Sequence, residues 1–355
     1  MKDVLNVFRA NYSFRQKMNY LKYRFSAKEE TLGYEPIVIS VVATGRCTLS
    51  CDMCPTHSKK MPKDYPHIQS PSKDISFEDF KRAVDALPRA LHVHIIGSGE
   101  PLLNRDFFRI AEYAAVKKRM KVKTFSNGTT IEKNIDNIIN SPLDGITISL
   151  NGHSPEEFSR MTGCPKETYS RIYDATARLI KARDSSGSKV KVKLSFIIDR
   201  VNYVNMPLMI ETGERLGADS IFFCNFLPAP YKGFTADERM IFTYDLREID
   251  FMRGVYSRLD PVMKKKISLP DAIDPGRTKN GCNTYFTQIR IDGEGRASSC
   301  SIMLLNMKGS GRVWDYGVWN NAFFRNMRKT FLSDSAGLLP EPCRVCPENK
   351  GVILR

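Results

Sequence analysis

Three cysteines stand within eight residues, Cys47-Thr-Leu-Ser-Cys51-Asp-Met-Cys54, a C-x3-C-x2-C array. Three thiolates this close in one loop can converge on three irons of a single cubane, leaving the fourth iron open to a chelating ligand. The competing chemistry is zinc. His57 follows Cys54 by three residues and would complete a Cys3His set, although structural zinc ligands usually come as separated pairs. Four more cysteines, Cys282, Cys300, Cys343 and Cys346, lie near the C-terminus, the last two as a C-x2-C pair before Pro347. Four thiolates from a hairpin and a remote knuckle can fully ligate one metal centre, and a zinc ribbon fits that spacing nearly as well. Two cysteines remain. Cys224 ends a strand-like run, where its thiol either faces a substrate or is buried in the core. Cys164, in a Gly-Cys-Pro turn, reads as incidental.

The surrounding composition sets limits. The chain has 355 residues, 42% hydrophobic and 26% charged, which suits a globular fold and excludes a disordered one. No apolar run approaches the ~18 residues of a membrane span, and the N-terminus MKDVLNVFRA has no apolar signal core. Nine cysteines in a chain of this kind predict a cytoplasmic location and metal or redox work rather than disulfides. The net charge of +15 favours an anionic partner. No phosphate-cradling glycine loop marks a nucleotide triphosphate site, and no nucleic acid is expected.

Elements able to position these residues follow from periodicity. Strand-like runs occupy Ile37–Val42, His92–Ile96, Val122–Phe125, Ile146–Leu150, Val190–Ile198 and Ser220–Phe226. Amphipathic stretches near 76–87, 104–118, 131–140, 168–183 and 205–217 alternate with them. Six strand-then-helix units predict a parallel sheet, too short to close an eight-fold barrel, hence a partial (βα)6 barrel of α/β class over 36–230. Residues 231–280 read as a helical linker. Residues 281–355 read as a small α+β module with a hairpin, Gln288–Ile291 and Arg296–Met303 about Asp292-Gly293-Glu294-Gly295, and a helix near 319–332. Residues 1–35 predict a helical cap at the barrel's bottom. Six basic residues against one acidic in the first 25 also suit weak contact with a membrane surface. The segment Pro55–Ser72, with His57 and His67, reads as a lid or a mobile loop. His92 and His94 share one face of their strand.

The cysteine triplet after the first strand of such a barrel resembles the radical S-adenosylmethionine (SAM) enzymes. Gly97-Ser98-Gly99-Glu100-Pro101 after the second strand resembles the family's Gly-Gly-Glu motif, which implies that Gly97, Gly99 and Glu100 hold the cofactor's amino group. Ser126-Asn127-Gly128 and Ser149-Leu150-Asn151-Gly152, after the third and fourth strands, resemble family positions near the ribose and carboxylate. Arg160 is similar to an arginine that contacts that carboxylate, and Met53 stands where the family packs an apolar residue against adenine. The C-terminal cysteines resemble the SPASM/twitch auxiliary-cluster domain, with spacing most like the 2-deoxy-scyllo-inosamine dehydrogenase type.

The resemblance implies SAM and two [4Fe–4S] clusters, one radical-generating on Cys47, Cys51 and Cys54 and one auxiliary on Cys282, Cys300, Cys343 and Cys346. It also implies an electron donor such as flavodoxin or ferredoxin. The expected reaction is hydrogen abstraction from a small anionic substrate, for example a phosphorylated one, with oxidation or rearrangement. Modification of a ribosomal peptide and a non-enzymatic zinc or nucleic-acid-binding role are the alternatives.

Overall fold

Runs of β-branched residues make a parallel sheet where helices can cover both ends of each crossover, and the computed structural model has that form. It describes all residues except 1, 61–72, 227–238, 278–280, 301–309, 334–338, 340–342, 344–345 and 355. His67, most of the anticipated lid and the strand residues 301–303 lie outside the described residues. The strands are β1 (Val38–Val42), β2 (His92–Ile96), β3 (Lys121–Ser126), β4 (Gly145–Ser149), β5 (Lys191–Ile198), β6 (Ser220–Asn225), β7 (Ile267–Ser268), β8 (Asp271–Ile273), β9 (Gln288–Ile291), β10 (Ala297–Ser298) and β11 (Gly351–Ile353).

Nine of them form one sheet in the order β10-β9-β1-β2-β3-β4-β5-β6-β7. Every pair in it is parallel except β9 with β10. Helices follow the strands as the periodicity requires. Ser76 caps the helix Phe77–Asp85 by accepting the Asp79 N–H, and Phe80, Ala83 and Val84 are its buried face. The long helix Lys166–Ser186 buries Ile172, Ala175, Thr176, Leu179 and Ile180 on one stripe. The stretch at 104–118 is helix over Phe107–Glu112 and then widens into a π-turn over Tyr113–Lys117. A helix at Pro155–Thr162 joins the expected set.

The hairpin does not stand apart from the barrel. Strand β9 pairs in parallel with β1, Ser40 opposite Arg290, so the C-terminal module extends the barrel's own sheet. At the end of the chain β11 returns to pair with β8. Below the sheet, Gln16 donates to the carbonyls of Ala90 (2.7 Å) and Lys118 (3.0 Å). Asn19 donates to those of Glu35 and Arg89. These carbonyls precede β1, β2 and β3, which fixes the helix Phe14–Phe25 under the strands' N-terminal ends. Among the described residues no helix is long and apolar enough to cross a membrane.

Candidate active site

At the opposite end, the loops that leave β1, β2 and β3 are bound to one another. The Cys47–Cys54 loop is held from several sides. The Asp52 N–H donates to the Thr162 carbonyl at 2.8 Å, and the Cys54 N–H to the Cys51 carbonyl at 2.9 Å. Arg46 reaches Asp74 and the Leu103 carbonyl. Cys47, Cys51 and Cys54 are all half-buried.

The β2 loop packs directly on this segment. A Cβ at Gly99 would sit 1.9 Å from the Arg46 carbonyl oxygen, so the close approach requires glycine. The Glu100 N–H then donates to that same carbonyl at 2.7 Å. The Glu100 side chain is fully buried. Its Oε1 accepts from the Leu102 N–H (3.1 Å) and Ser126 Oγ (3.0 Å), and its Oε2 from the Asn127 N–H (2.6 Å). Burial raises its pKa and those donors pull it back. Asn127 closes the circuit, donating from Nδ2 to Cys47 Sγ at 3.5 Å and to Thr48 Oγ1 at 3.1 Å. One buried carboxylate thus fixes the β2 and β3 loops against the cysteines.

Farther round, Ser149 accepts from Ser195 Oγ at 3.3 Å. Arg160 Nη1 lies 3.4 Å from Asp199 Oδ2. The fully buried Asp199 also takes Arg239 Nε (2.9 Å) and Nη2 (2.5 Å). Met53 and Ile197 pack against an apolar cluster of Phe226, Met240, Phe242 and Ile273. Met240, Phe242 and Ile273 come from beyond the six βα units and carried no sequence signal.

Two cysteines need correcting or restating. Cys164, read above as incidental, has its Sγ 3.9 Å from Cys51 Sγ; the helix Pro155–Thr162 brings it there. That contact and burial raise the Cys51 thiol. Burial raises Cys47 as well, with Cys54 adding to it. Cys224 sits opposite Ile197 on β6, and burial pushes its thiol up to about 12. A thiol held protonated in this way is a poor nucleophile near neutral pH.

The second cysteine group is assembled by a residue the sequence did not flag. Asn349 Oδ1 accepts from the N–H groups of Gly281 (3.0 Å) and Cys282 (3.3 Å), while its Nδ2 donates to the Cys343 carbonyl at 2.9 Å. Burial raises the Cys343 thiol, and Cys300, Cys346 and Cys282 each raise it further, so all of these thiols share one neighbourhood. Among the described residues no three His, Cys, Asp or Glu side chains stand at metal-cage distances. The donor chemistry of both groups nevertheless suits iron–sulfur ligation: three thiols in one tethered loop, and four in one neighbourhood. His57 donates its N–H to Cys54 Sγ at 3.4 Å, and its Nε2 is buried without a partner.

Comparison with known proteins agrees with this geometry. The sequence profile of the Radical SAM superfamily matches residues 41–193. The PqqA peptide cyclase of Granulibacter bethesdensis is 23% identical over 323 residues, 88% of this chain and 79% of the relative. A probable GTP 3′,8-cyclase of Saccharolobus islandicus is 26% identical over 210 residues, 57% of this chain and 65% of that protein. Streptococcus suis SuiB bound to S-adenosylmethionine superposes with a TM-score of 0.64 at 15% identity, over 97% of this chain and 80% of SuiB. The anSMEcpe protein with bound AdoMet gives 0.62 at 15%, over 89% and 86%. These likenesses establish the fold.

Proposed function

With residues 41–193 belonging to the radical SAM superfamily, and SAM and [4Fe–4S] chemistry as its cofactors, we propose that this chain makes a carbon-centred radical on an anionic substrate and passes the resulting electron to an auxiliary cluster. Cys47, Cys51 and Cys54 would hold a [4Fe–4S] cluster, which together with SAM would supply the chemistry for hydrogen-atom abstraction from the substrate. The chain's own residues orient and shield. Gly97 and Gly99 let the β2 loop fold back on itself and onto the Arg46 backbone. Glu100 holds Ser126 and Asn127 toward the cysteine loop. Ser149 and Arg160 flank the cofactor's polar end, and Met53 offers its apolar cluster to the adenine ring. The observation that carries the reading is the three-thiol loop locked by Glu100 and Asn127 at the C-terminal ends of parallel strands, the face where barrel enzymes place their chemistry.

The second thiol group supports an auxiliary [4Fe–4S] cluster on Cys282, Cys300, Cys343 and Cys346. Oxidation of a small anionic substrate is the first reading, because the chain is strongly basic. Modification of a ribosomal peptide is the second, favoured by the likeness to the PqqA peptide cyclase and to SuiB, which was solved with its precursor peptide SuiA. Iron analysis tests the two-cluster claim. Anaerobically reconstituted protein is expected to hold about eight irons, and joint replacement of Cys47, Cys51 and Cys54 by Ala to leave about four while abolishing reductive SAM cleavage. Four irons in the native protein and none in the variant would overturn it.

A further inference from the structure

Strand alternation decides which side chains face the barrel's interior. Ile39, Val93, Val122, Ile146, Val192 and Ile221 are core residues, packed with helix residues such as Phe80, Ile110 and Leu179. Their strand neighbours therefore face the lumen. Register aligns those neighbours: Arg290 and His94 both stand opposite Ser40, His94 stands opposite Lys123, and Lys193 stands opposite Thr147. Lysines 123 and 193, with Arg290, thus share one wall-to-wall zone. No lumen-facing position of β1–β6 or β9 is Asp or Glu.

Such a zone is costly unless something compensates it, because clustered, partly desolvated cations repel. Among the described residues, Lys123, Lys193 and Arg290 have no ion-pair partner, and the buried Arg290 Nε has no hydrogen-bond acceptor. Burial lowers Lys123, and Lys193 lowers it further. Burial likewise lowers His94 to about 4. Asp144 offsets part of this on Lys123 while its Oδ2 accepts the Val122 N–H. The lumen is open: Phe125 and Phe222, on lumen-facing positions, are 41% and 42% exposed. Its next level toward the SAM loops carries Ser149 and Cys224.

We propose that the lumen binds the phosphate group of a phosphorylated small-molecule substrate, gripped by Arg290, Lys123 and Lys193, with His94 as a further hydrogen-bonding group. This rests on the radical reading above and names the substrate class that reading leaves open. A phosphate dianion balances several cations and accepts from an Arg fork and ammonium groups together. Held there, the rest of the substrate extends toward the loops where hydrogen abstraction takes place.

Calorimetry on the reconstituted full-length enzyme with inorganic pyrophosphate as probe tests this. Binding is expected in the native protein, weakened by roughly tenfold or more in Lys123→Met/Lys193→Met and kept within about threefold by Lys123→Arg. Arg290→Met, on a different strand, is expected to weaken it comparably. Iron content and circular dichroism confirm that each variant is folded. Absence of pyrophosphate binding, or binding indifferent to both substitutions, overturns the proposal. Tighter binding of tricarballylate or of a hexaglutamate peptide also overturns it, in favour of a carboxylate or peptide ligand. Reductive SAM cleavage by the native enzyme is measured separately, so that failure of the radical reading and failure of the lumen site are told apart.

Discussion

Glu100 offers the sharpest test of how the site is held. Glu100→Gln keeps the shape but replaces one oxygen by an NH2 group. Whichever way the amide turns, its nitrogen meets a backbone N–H, that of Asn127 in one orientation and of Leu102 in the other. One buried donor then loses its acceptor, at about 1–3 kcal/mol, and while the native carboxyl is protonated no charge assistance is at stake. Relief of a buried charge opposes this, since burial holds the native carboxyl above its ordinary 4.5. A carboxyl whose folded pKa is raised contributes stability below its unfolded value and loses it as pH rises through the folded one. Gln does not titrate there. The variant is therefore expected to be less stable by roughly 1–3 kcal/mol at low pH, with the deficit narrowing as pH rises past the folded value. Urea unfolding of the cluster-free protein, followed by far-UV circular dichroism at several pH values, gives the number. SAM affinity should fall as well, because the Asn127 loop loses its anchor. Weakened SAM binding with unchanged stability would refute this reasoning and make Glu100 a simple ligand contact. A deficit that widens with pH would refute its sign.

Two other outcomes follow from the same geometry. Zinc placed on Cys282, Cys300, Cys343 and Cys346 should preserve the fold and SAM cleavage to 5′-deoxyadenosine but stop oxidised product, since zinc has no accessible redox change; full turnover, read by chromatography, would leave a redox-neutral rearrangement. Gly99→Ala, whose Cβ would lie 1.9 Å from the Arg46 carbonyl, should cost the radical cluster its iron, whereas Gly33→Ala, with nothing within 4 Å, should not; equal iron content in both would contradict the tight loop packing.

The six barrel strands were legible because each is a β-branched run between turn residues, and the observed ends fall within about a residue of those expected. Shorter signals were missed. The helix Pro155–Thr162 carries a Ser154 cap, Pro at its first turn and two glutamates, yet only two turns of periodicity. With it went the reason for Cys164, which no spacing rule places beside Cys51. Asn349 and Arg239 were invisible for a different cause: Asn349 meets Cys282 across 67 residues and Arg239 meets Asp199 across 40. Arg290 shows this most plainly. Read locally, it is one exposed position of a hairpin in a separate module. Its burial depends on β9 pairing with β1, a contact made across some 250 residues.

That pairing also bears on what the auxiliary thiols are for. The Cys47 loop leaves β1, and β9 is hydrogen-bonded to β1 along four registered pairs. Ser298, opposite Arg290 on β10, is two residues from Cys300, and Cys300 acts electrostatically on Arg290 inside the lumen. Cys300, of the second thiol group, therefore follows directly from a strand that lies beside β9 and its Arg290. A purely structural metal has no need of that position, since Asn349 already ties Cys282 to Cys343 without reference to the barrel. The electron-acceptor role proposed above does need it: a radical formed over the lumen would have to lose its electron to a group near the substrate's own chamber.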